Sequence, residues 1–223
     1  MQHFLAIADL SADELSDLLD LATRLKTEWL GRGNLPLLSG KVLGMVFQKP
    51  SLRTRVSFEV AMLHLGGQAL YLSPDEIGLG KRESIADVAR VLSRYVQGIM
   101  ARVFAHDHVL ELARYATVPV INGLSDYNHP CQALADMLTI QERHKRIKGL
   151  KIAYVGDGNN VATSLLMAAS KLGAHFAIAT PPDYALPASV IARAGEFARE
   201  SGGQISVTTD PGTAAEDADV IYT

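Results

Sequence analysis

One cysteine, Cys131, is present in the whole 223-residue chain. A single thiol cannot build an internal disulfide framework, and such usage fits a reducing, cytosolic compartment. No block of lysine and arginine and no basic helix face stands out against a net charge of -3, which argues against a nucleic-acid partner. The opening MQHFLAIADLSADEL acquires charge early and lacks the apolar core of a secretory leader. No apolar run reaches the ~20 residues that span a bilayer, so no membrane partner is expected. No His, Cys and Asp cluster has metal-ligand spacing, and neither a metal nor another cofactor is expected. Repeats, coiled-coil heptads and low-complexity tracts are absent as well. The remainder is ordinary for a globular protein: 48% hydrophobic, 20% charged, and long enough for one large or two modest domains.

Within that frame, strands and helices alternate. Ser11-Ala12-Asp13-Glu14 is a capping box, and Leu15, Leu18, Leu19, Ala22 and Leu25 follow at helical spacing, so 11–30 is predicted as a helix closed by Gly31 and Gly33. Lys41–Gln48 is a short apolar run, predicted as a buried strand. The polar loop KPSLRT and a helix to about Leu65 come next. Further strands are predicted at Gln68–Leu72, Gly98–Ala101 and Val118–Asn122, with helices at Ser84–Tyr95, His106–Tyr115 and Cys131–Arg143, and a loop over 73–83. HKRIKG, residues 144–149, is a basic interruption and the candidate boundary between a domain of residues 1–147 and one of 148–223. The pattern then restarts. Strands are predicted at Lys151–Val155, Ala174–Ala179, Gln204–Thr208 and Val220–Thr223, with helices at Val161–Leu172, Pro187–Glu200 and Asp210–Asp217. This alternation predicts an α/β fold of two domains, each a parallel sheet flanked by helices. The last apolar strand has no cover after it, so the second domain is expected to be incomplete.

The segment Phe47-Gln48-Lys49-Pro50-Ser51-Leu52-Arg53-Thr54-Arg55 lies between a buried strand and a helix. A helix N-terminus offers unpaired N–H groups and a positive dipole end to an anion. Ser51 and Thr54 add hydroxyls, and Arg53 and Arg55 add forks suited to phosphate oxygens. The competing explanation is helix capping, with Ser51 as the N-cap and the arginines merely solvated. His129-Pro130-Cys131-Gln132 follows a strand and opens a helix, at the carboxyl edge where α/β folds bind ligands. A histidine N–H and an arginine can polarise a carbonyl under attack, and the Gln132 carbonyl can meet an amino group. A turn with a solvated histidine would look the same in isolation.

Ser-x-Arg-Thr-Arg followed by Val-Ser-Phe-Glu, together with HPCQALAD, resembles the two signatures of the aspartate and ornithine carbamoyltransferases. The resemblance extends over essentially all of the chain. It implies that Ser51, the Leu52 backbone, Arg53 and Thr54 bind carbamoyl phosphate, with Arg55 a structural support. Leu52 stands where the family usually has threonine, so that hydroxyl is missing. The resemblance also assigns Arg102, in MARVF, to the carbamoyl oxygen together with His129 and Thr54, and Gln132 to the carbamoyl amino group. Cys131 is expected to be a packed small side chain and not a nucleophile, because the transfer is direct. The alanine before Asp136 resembles the ornithine branch.

The loop EIGLGKRE, 76–83, resembles the family loop that enters a neighbouring subunit's site, and it implies a homotrimer. Gly78 replaces a polar side chain there, for which Lys81 or Arg82 could compensate. Gly156-Asp157-Gly158-Asn159-Asn160 resembles the ornithine-branch turn, which implies that Asn160 binds ornithine and Asp157 positions the turn. The same glycines raise a dinucleotide-binding alternative. Val161 at the third glycine position and the absence of a well-placed acid weigh against it. The implied reaction is carbamoyl transfer from carbamoyl phosphate to L-ornithine. Putrescine, N-acylated ornithine or aspartate as acceptor stays open, as does an inactive assembly partner. Later family motifs are not in the chain, so little activity is expected from it alone.

Overall fold

The computed structural model describes residues 2–80 and 82–223. The chain forms two compact units. One comprises Thr23–Asn128 with the chain up to Leu5; the other comprises Ala6–Ala22 and His129–Thr223. Helix α1, Ala12–Gly31, starts at the predicted capping box. The Ser11 N–H donates to Glu14 Oε2 at 2.9 Å, and the Glu14 N–H donates to Ser11 Oγ at 3.0 Å. Leu15 and Leu19, one turn apart, are its buried residues.

The first unit holds a parallel sheet of β1 (Val42–Phe47), β2 (Gln68–Leu72), β3 (Gly98–Arg102) and β4 (Val120–Leu124), in the order β2-β1-β3-β4. Its crossovers are α2 (Leu52–His64), the short α3 (Pro74–Ile77) with α4 (Ile85–Leu92), and α5 (His106–Tyr115). Side chains alternate along a strand, and here both faces are apolar. Val46, Ile99, Ala101 and Val103 pack against Val88 and Ala89 of α4 and Val109 and Leu112 of α5. Leu43, Met45, Phe47 and Met100 pack against Phe58 and Met62 of α2. Each large side chain removed from water contributes roughly 1.5–3 kcal/mol, which is why continuous apolar runs settle as central strands.

The second unit begins its main segment with α6, Pro130–His144. Its parallel sheet comprises β5 (Lys151–Val155), β6 (His175–Ala179), β7 (Ile205–Thr208) and β8 (Val220–Tyr222), in the order β7-β6-β5-β8. Around it lie α7 (Asn160–Lys171), α8 (Ala188–Ser201) and the short α9 (Pro211–Ala215). Every residue from Ala162 to Lys171 is buried, because α6, α8 and the 3-10 turn Ile7–Asp9 all pack on α7. Even the Lys171 ammonium is enclosed. It donates to the Leu10 carbonyl at 2.6 Å and lies 3.6 Å from the centre of the Phe197 ring.

The α/β architecture of two parallel sheets flanked by helices is as expected, and most element ends fall within three residues of prediction. Three places differ. Helix α2 starts inside KPSLRT, because Ser51 caps it and Leu52, Arg53 and Thr54 form its first turn. The 73–83 loop contains α3, nucleated by a second capping box between Ser73 and Glu76. Strand β4 lies two residues later than predicted. Pro119 has no N–H for the ladder, so pairing starts at Val120, and it extends until the Val103 N–H reaches the Leu124 carbonyl at 2.9 Å. Among the described residues no helix is long and apolar enough to cross a membrane.

Candidate active site

In a parallel sheet all strands end at one edge, and β1 and β3 deliver their last residues, Phe47 and Arg102, as direct neighbours there. Four residues beyond Phe47, Ser51 adopts an extended backbone and its Oγ accepts the Thr54 N–H at 3.4 Å, capping α2. Ser51 Oγ also donates to Thr54 Oγ1 at 3.2 Å, and Arg102 Nη1 donates to the same oxygen at 3.1 Å. Ser51, Thr54 and Arg102 are thus joined side chain to side chain. Arg102 is half-buried, and its Nε is out of solvent without a hydrogen-bond partner. Burial first, and the Arg53 charge second, hold its pKa below the ordinary arginine range. Among the described residues neither Arg53 nor Arg102 forms an ion pair, and α2 has no acid in its first turn. Two guanidinium groups and a helix dipole therefore add at one place with no counter-charge, which favours an anion there. Capping and anion binding are compatible here: Ser51 caps the helix whose open end the arginines surround.

The other members of the motif are placed differently. Leu52 is 77% exposed, and only its backbone is at the helix start. Arg55 turns aside. Its Nε donates to Glu59 Oε1 at 2.9 Å and its guanidinium lies over the Tyr71 ring at 4.3 Å.

Gln48, which the motif reading passed over, organises this edge. Its N–H donates to the Arg102 carbonyl at 2.8 Å. Its Oε1 accepts the Phe104 N–H at 3.1 Å and lies 3.0 Å from His108 Nδ1. Its Nε2 donates to the Leu79 carbonyl at 3.1 Å. Gln48 thus ties the end of β1 to Arg102 through its backbone, and to Phe104, His108 and the 76–83 loop through its side chain. In that loop Gly78 has φ +52, and an added Cβ would meet Arg82 Cβ at 2.8 Å. Arg82 Nη1 donates to the Glu76 carbonyl at 3.3 Å. Lys81 lies outside the described residues.

In the second unit, His129 is the residue before α6, and Pro130 occupies the first turn, where its missing N–H costs nothing. The His129 N–H donates to Ser164 Oγ at 2.9 Å, and Ser164 Oγ donates to the Asn160 carbonyl at 2.9 Å. Ser164 therefore ties His129 to the first turn of α7, where Asn160 sits. Gln132 Nε2 donates to Asp136 Oδ1 at 2.9 Å. Burial pushes the Cys131 thiol up to about 12, so almost no thiolate exists near neutral pH, which disfavours nucleophilic chemistry.

The glycine turn after β5 is closed by the chain itself. The Gly158 N–H donates to the Tyr184 carbonyl at 2.7 Å, and a Cβ there would lie 2.6 Å from Leu186 N. Gly158 is thus required by the backbone of 184–186, not by an approaching pyrophosphate. Asn159, not Asn160, caps α7, its Oδ1 accepting from Val161 N at 2.9 Å and Ala162 N at 3.2 Å. Tyr154 Oη donates to the Asp157 carbonyl at 2.9 Å and holds the turn from below.

Comparison with known proteins shows the family. The carbamoyl-P binding domain of the aspartate/ornithine carbamoyltransferases matches residues 2–142, and the Asp/Orn binding domain of the same family matches residues 148–223. The ornithine carbamoyltransferase of Anoxybacillus flavithermus is 54% identical over 222 residues, covering 100% of this chain and 71% of that protein. The anabolic ornithine carbamoyltransferase of Pyrococcus furiosus is 56% identical over 223 residues, covering 100% of this chain and 70% of that one. The solved structure of the ornithine carbamoyltransferase from Pyrococcus furiosus superimposes with a TM-score of 0.98 over all of this chain and 71% of that one, at 55% identity. The chain, with its two parallel sheets and its arginine-flanked helix start, belongs to the aspartate/ornithine carbamoyltransferase family of transferases.

Proposed function

We propose that this protein transfers the carbamoyl group of carbamoyl phosphate to the δ-amine of L-ornithine, giving L-citrulline and phosphate. The observation that carries the reading is the uncompensated charge at the start of α2. There Arg102 donates to Thr54 Oγ1 at 3.1 Å, and burial first, with the Arg53 charge second, lowers the Arg102 pKa. The phosphate of the substrate takes the place of the missing counter-charge, bound by Ser51, Arg53, Thr54 and the Leu52 N–H. Arg102, His129 and Thr54 polarise the carbamoyl oxygen, and the Gln132 carbonyl accepts from the carbamoyl amino group. Residues 1–147 supply the carbamoyl phosphate domain, and 148–223 contribute to the amino-acid domain through Asn160.

The amine lone pair forms the new C–N bond, and the C–O bond to phosphate breaks as phosphate leaves with its electron pair. The amine must first lose a proton. For a group with a pKa near ~10.4 this costs about 4–5 kcal/mol at neutral pH, which the assembled site has to offset. The names of the relatives at 54% and 56% identity favour ornithine over other amines as acceptor.

A homotrimer is part of the same proposal. Leu52, Val56 and Leu63 form one exposed apolar stripe on α2, and Leu70 is exposed on β2, the edge strand of its sheet. A stripe of this kind on a monomer surface fits a contact with another copy. Light scattering tests it: a monomer at micromolar concentration refutes the assembly.

The binding reading is tested by thermal-shift titration with carbamoyl phosphate, with NAD as the control. A ligand specific for the native state stabilises it by about 2.7 kcal/mol at a hundredfold excess over its dissociation constant. A shift with carbamoyl phosphate alone supports the proposal, and a shift with NAD alone overturns it.

A further inference from the structure

Gln132 and Asp136 are four residues apart on α6, so their side chains lie one above the other on the same face. The single hydrogen bond between them runs from Gln132 Nε2 to Asp136 Oδ1, at 2.9 Å. Its direction follows from chemistry. A carboxylate only accepts, so the Gln132 amino group must face Asp136 and its carbonyl oxygen must turn away. Without such a partner, the terminal amide of a glutamine rotates between two near-equivalent orientations.

Asp136 is itself held from the other side. Its Oδ2 is out of solvent and accepts no hydrogen bond. Tyr222 of β8 is close enough that the carboxylate and the phenol shift each other's titration. The Tyr222 ring stacks on Tyr154 with centroids 5.7 Å apart and planes 15° apart, and Tyr154 bonds the Asp157 carbonyl. A partly buried carboxylate with an oxygen unused is a costly group to keep for a helix surface pair alone.

The geometry points to Asp136 as a positioning residue that holds the Gln132 amide oxygen outward, and so lets the site distinguish carbamoyl phosphate from acyl phosphates lacking an amino group. This rests on the proposal that Gln132 meets the carbamoyl amino group. That nitrogen carries two N–H donors, with its lone pair delocalised into the carbonyl. An outward oxygen accepts one of the donors; an outward NH2 would set donor against donor. Replacing the carbamoyl NH2 by CH3 gives acetyl phosphate, with the same phosphate and carbonyl and nothing for Gln132 to hold.

The test measures carbamoyl phosphate and acetyl phosphate binding to the 223-residue chain by calorimetry. It compares wild type, Gln132→Ala, Asp136→Ala and the double variant. Wild type is expected to prefer carbamoyl phosphate. The preference should fall roughly three- to tenfold in Gln132→Ala, as for one lost hydrogen bond, and about twofold in Asp136→Ala, where the freed amide populates both orientations, with acetyl phosphate affinity unchanged in each. Because Asp136 acts through Gln132, the double variant should match Gln132→Ala alone. If Asp136→Ala does not fold, Asp136→Asn carries the same test. It keeps the volume and one acceptor but no longer forbids the amide flip, so the same roughly twofold fall in preference is expected.

Equal weakening of both phosphates by the Asp136 variants would overturn the inference, as would a further fall in the Gln132→Ala background. A wild-type preference in the Asp136 variants alongside a reduced one in Gln132→Ala would overturn it while leaving the Gln132 assignment standing. An unchanged preference in Gln132→Ala, or no preference in wild type, would overturn that assignment and this inference together.

Discussion

The turn from β1 into α2 and the turn from β5 into α7 are built alike. Each leaves the carboxyl end of an inner parallel strand, and each caps its helix with a polar side chain, Ser51 in one and Asn159 in the other. They differ in what surrounds the cap. The start of α2 carries Arg53 and Arg55, both exposed, with Arg102 reaching in from β3. The start of α7 has no charge in its first turn, and the glycine before its cap is covered by the backbone of 184–186. A helix N-terminus is an anion site only in potential. Neighbouring cations and open space favour an anion at the first, and the chain's own carbonyl closes much of the second.

Arg53→Ala should break this contrast most strongly. Removing a charged two-pronged donor from the open end is expected to weaken carbamoyl phosphate binding by about 100-fold or more, with the far-UV spectrum unchanged because Arg53 is exposed. Calorimetry reads the affinity, and near-wild-type binding would remove Arg53 from the site. Gly158→Ala tests the closed end. Its new Cβ would overlap Leu186 N and the Tyr184 carbonyl, so a loss of about 1–3 kcal/mol in urea unfolding is expected. An unchanged midpoint would mean that 184–186 yields easily.

The two caps sharpen the comparison further. Asn159→Ala and Ser51→Ala should each cost about 1 kcal/mol of stability without ligand. Only Ser51→Ala should also reduce the stabilisation added by carbamoyl phosphate. Equal ligand responses in both variants would count against Ser51 as a ligand.

The smallest expected effect is a pH dependence. Burial raises the Asp136 pKa, with partial opposition from its neighbours Gln132 and Tyr222. The folded state therefore binds more protons at this position than the unfolded chain between the ordinary aspartate pKa and the raised one. Wild type should gain stability relative to Asp136→Asn as pH falls through that window, and the gain should level off below it. Paired melting curves would show a pH-independent difference if Asp136 were not desolvated.

Much of this was legible in the sequence, because much of it is local. The capping box at Ser11 and Glu14 and the apolar run Val42–Phe47 announce their elements through interactions within a few residues. The Ser51–Arg55 and His129–Gln132 segments carry their chemistry on their face. The Ser73 capping box is local too, yet the Gly, Pro and charge around it read as plain loop. Gln48 was not legible as an organiser, because its side-chain partners, the Leu79 carbonyl, the Phe104 N–H and His108, are 31, 56 and 60 residues away. Nor was the destination of Ala6–Ala22, which packs with a segment beginning at His129.

The sequence by itself determined the alternation of strands and helices, the caps, and the gathering of hydroxyls and guanidinium groups in Ser51, Arg53 and Thr54 at one helix start. These depend on periodicity and on hydrogen bonds across three or four residues. Tertiary structure decided the strand order, the meeting of Arg102 with Thr54 across 48 residues, the covering of Gly158, and the support of Asp136 by Tyr222. Such contacts require closing long loops, and their partners are selected by how two whole sheets and their helices pack, which no short window of the chain contains.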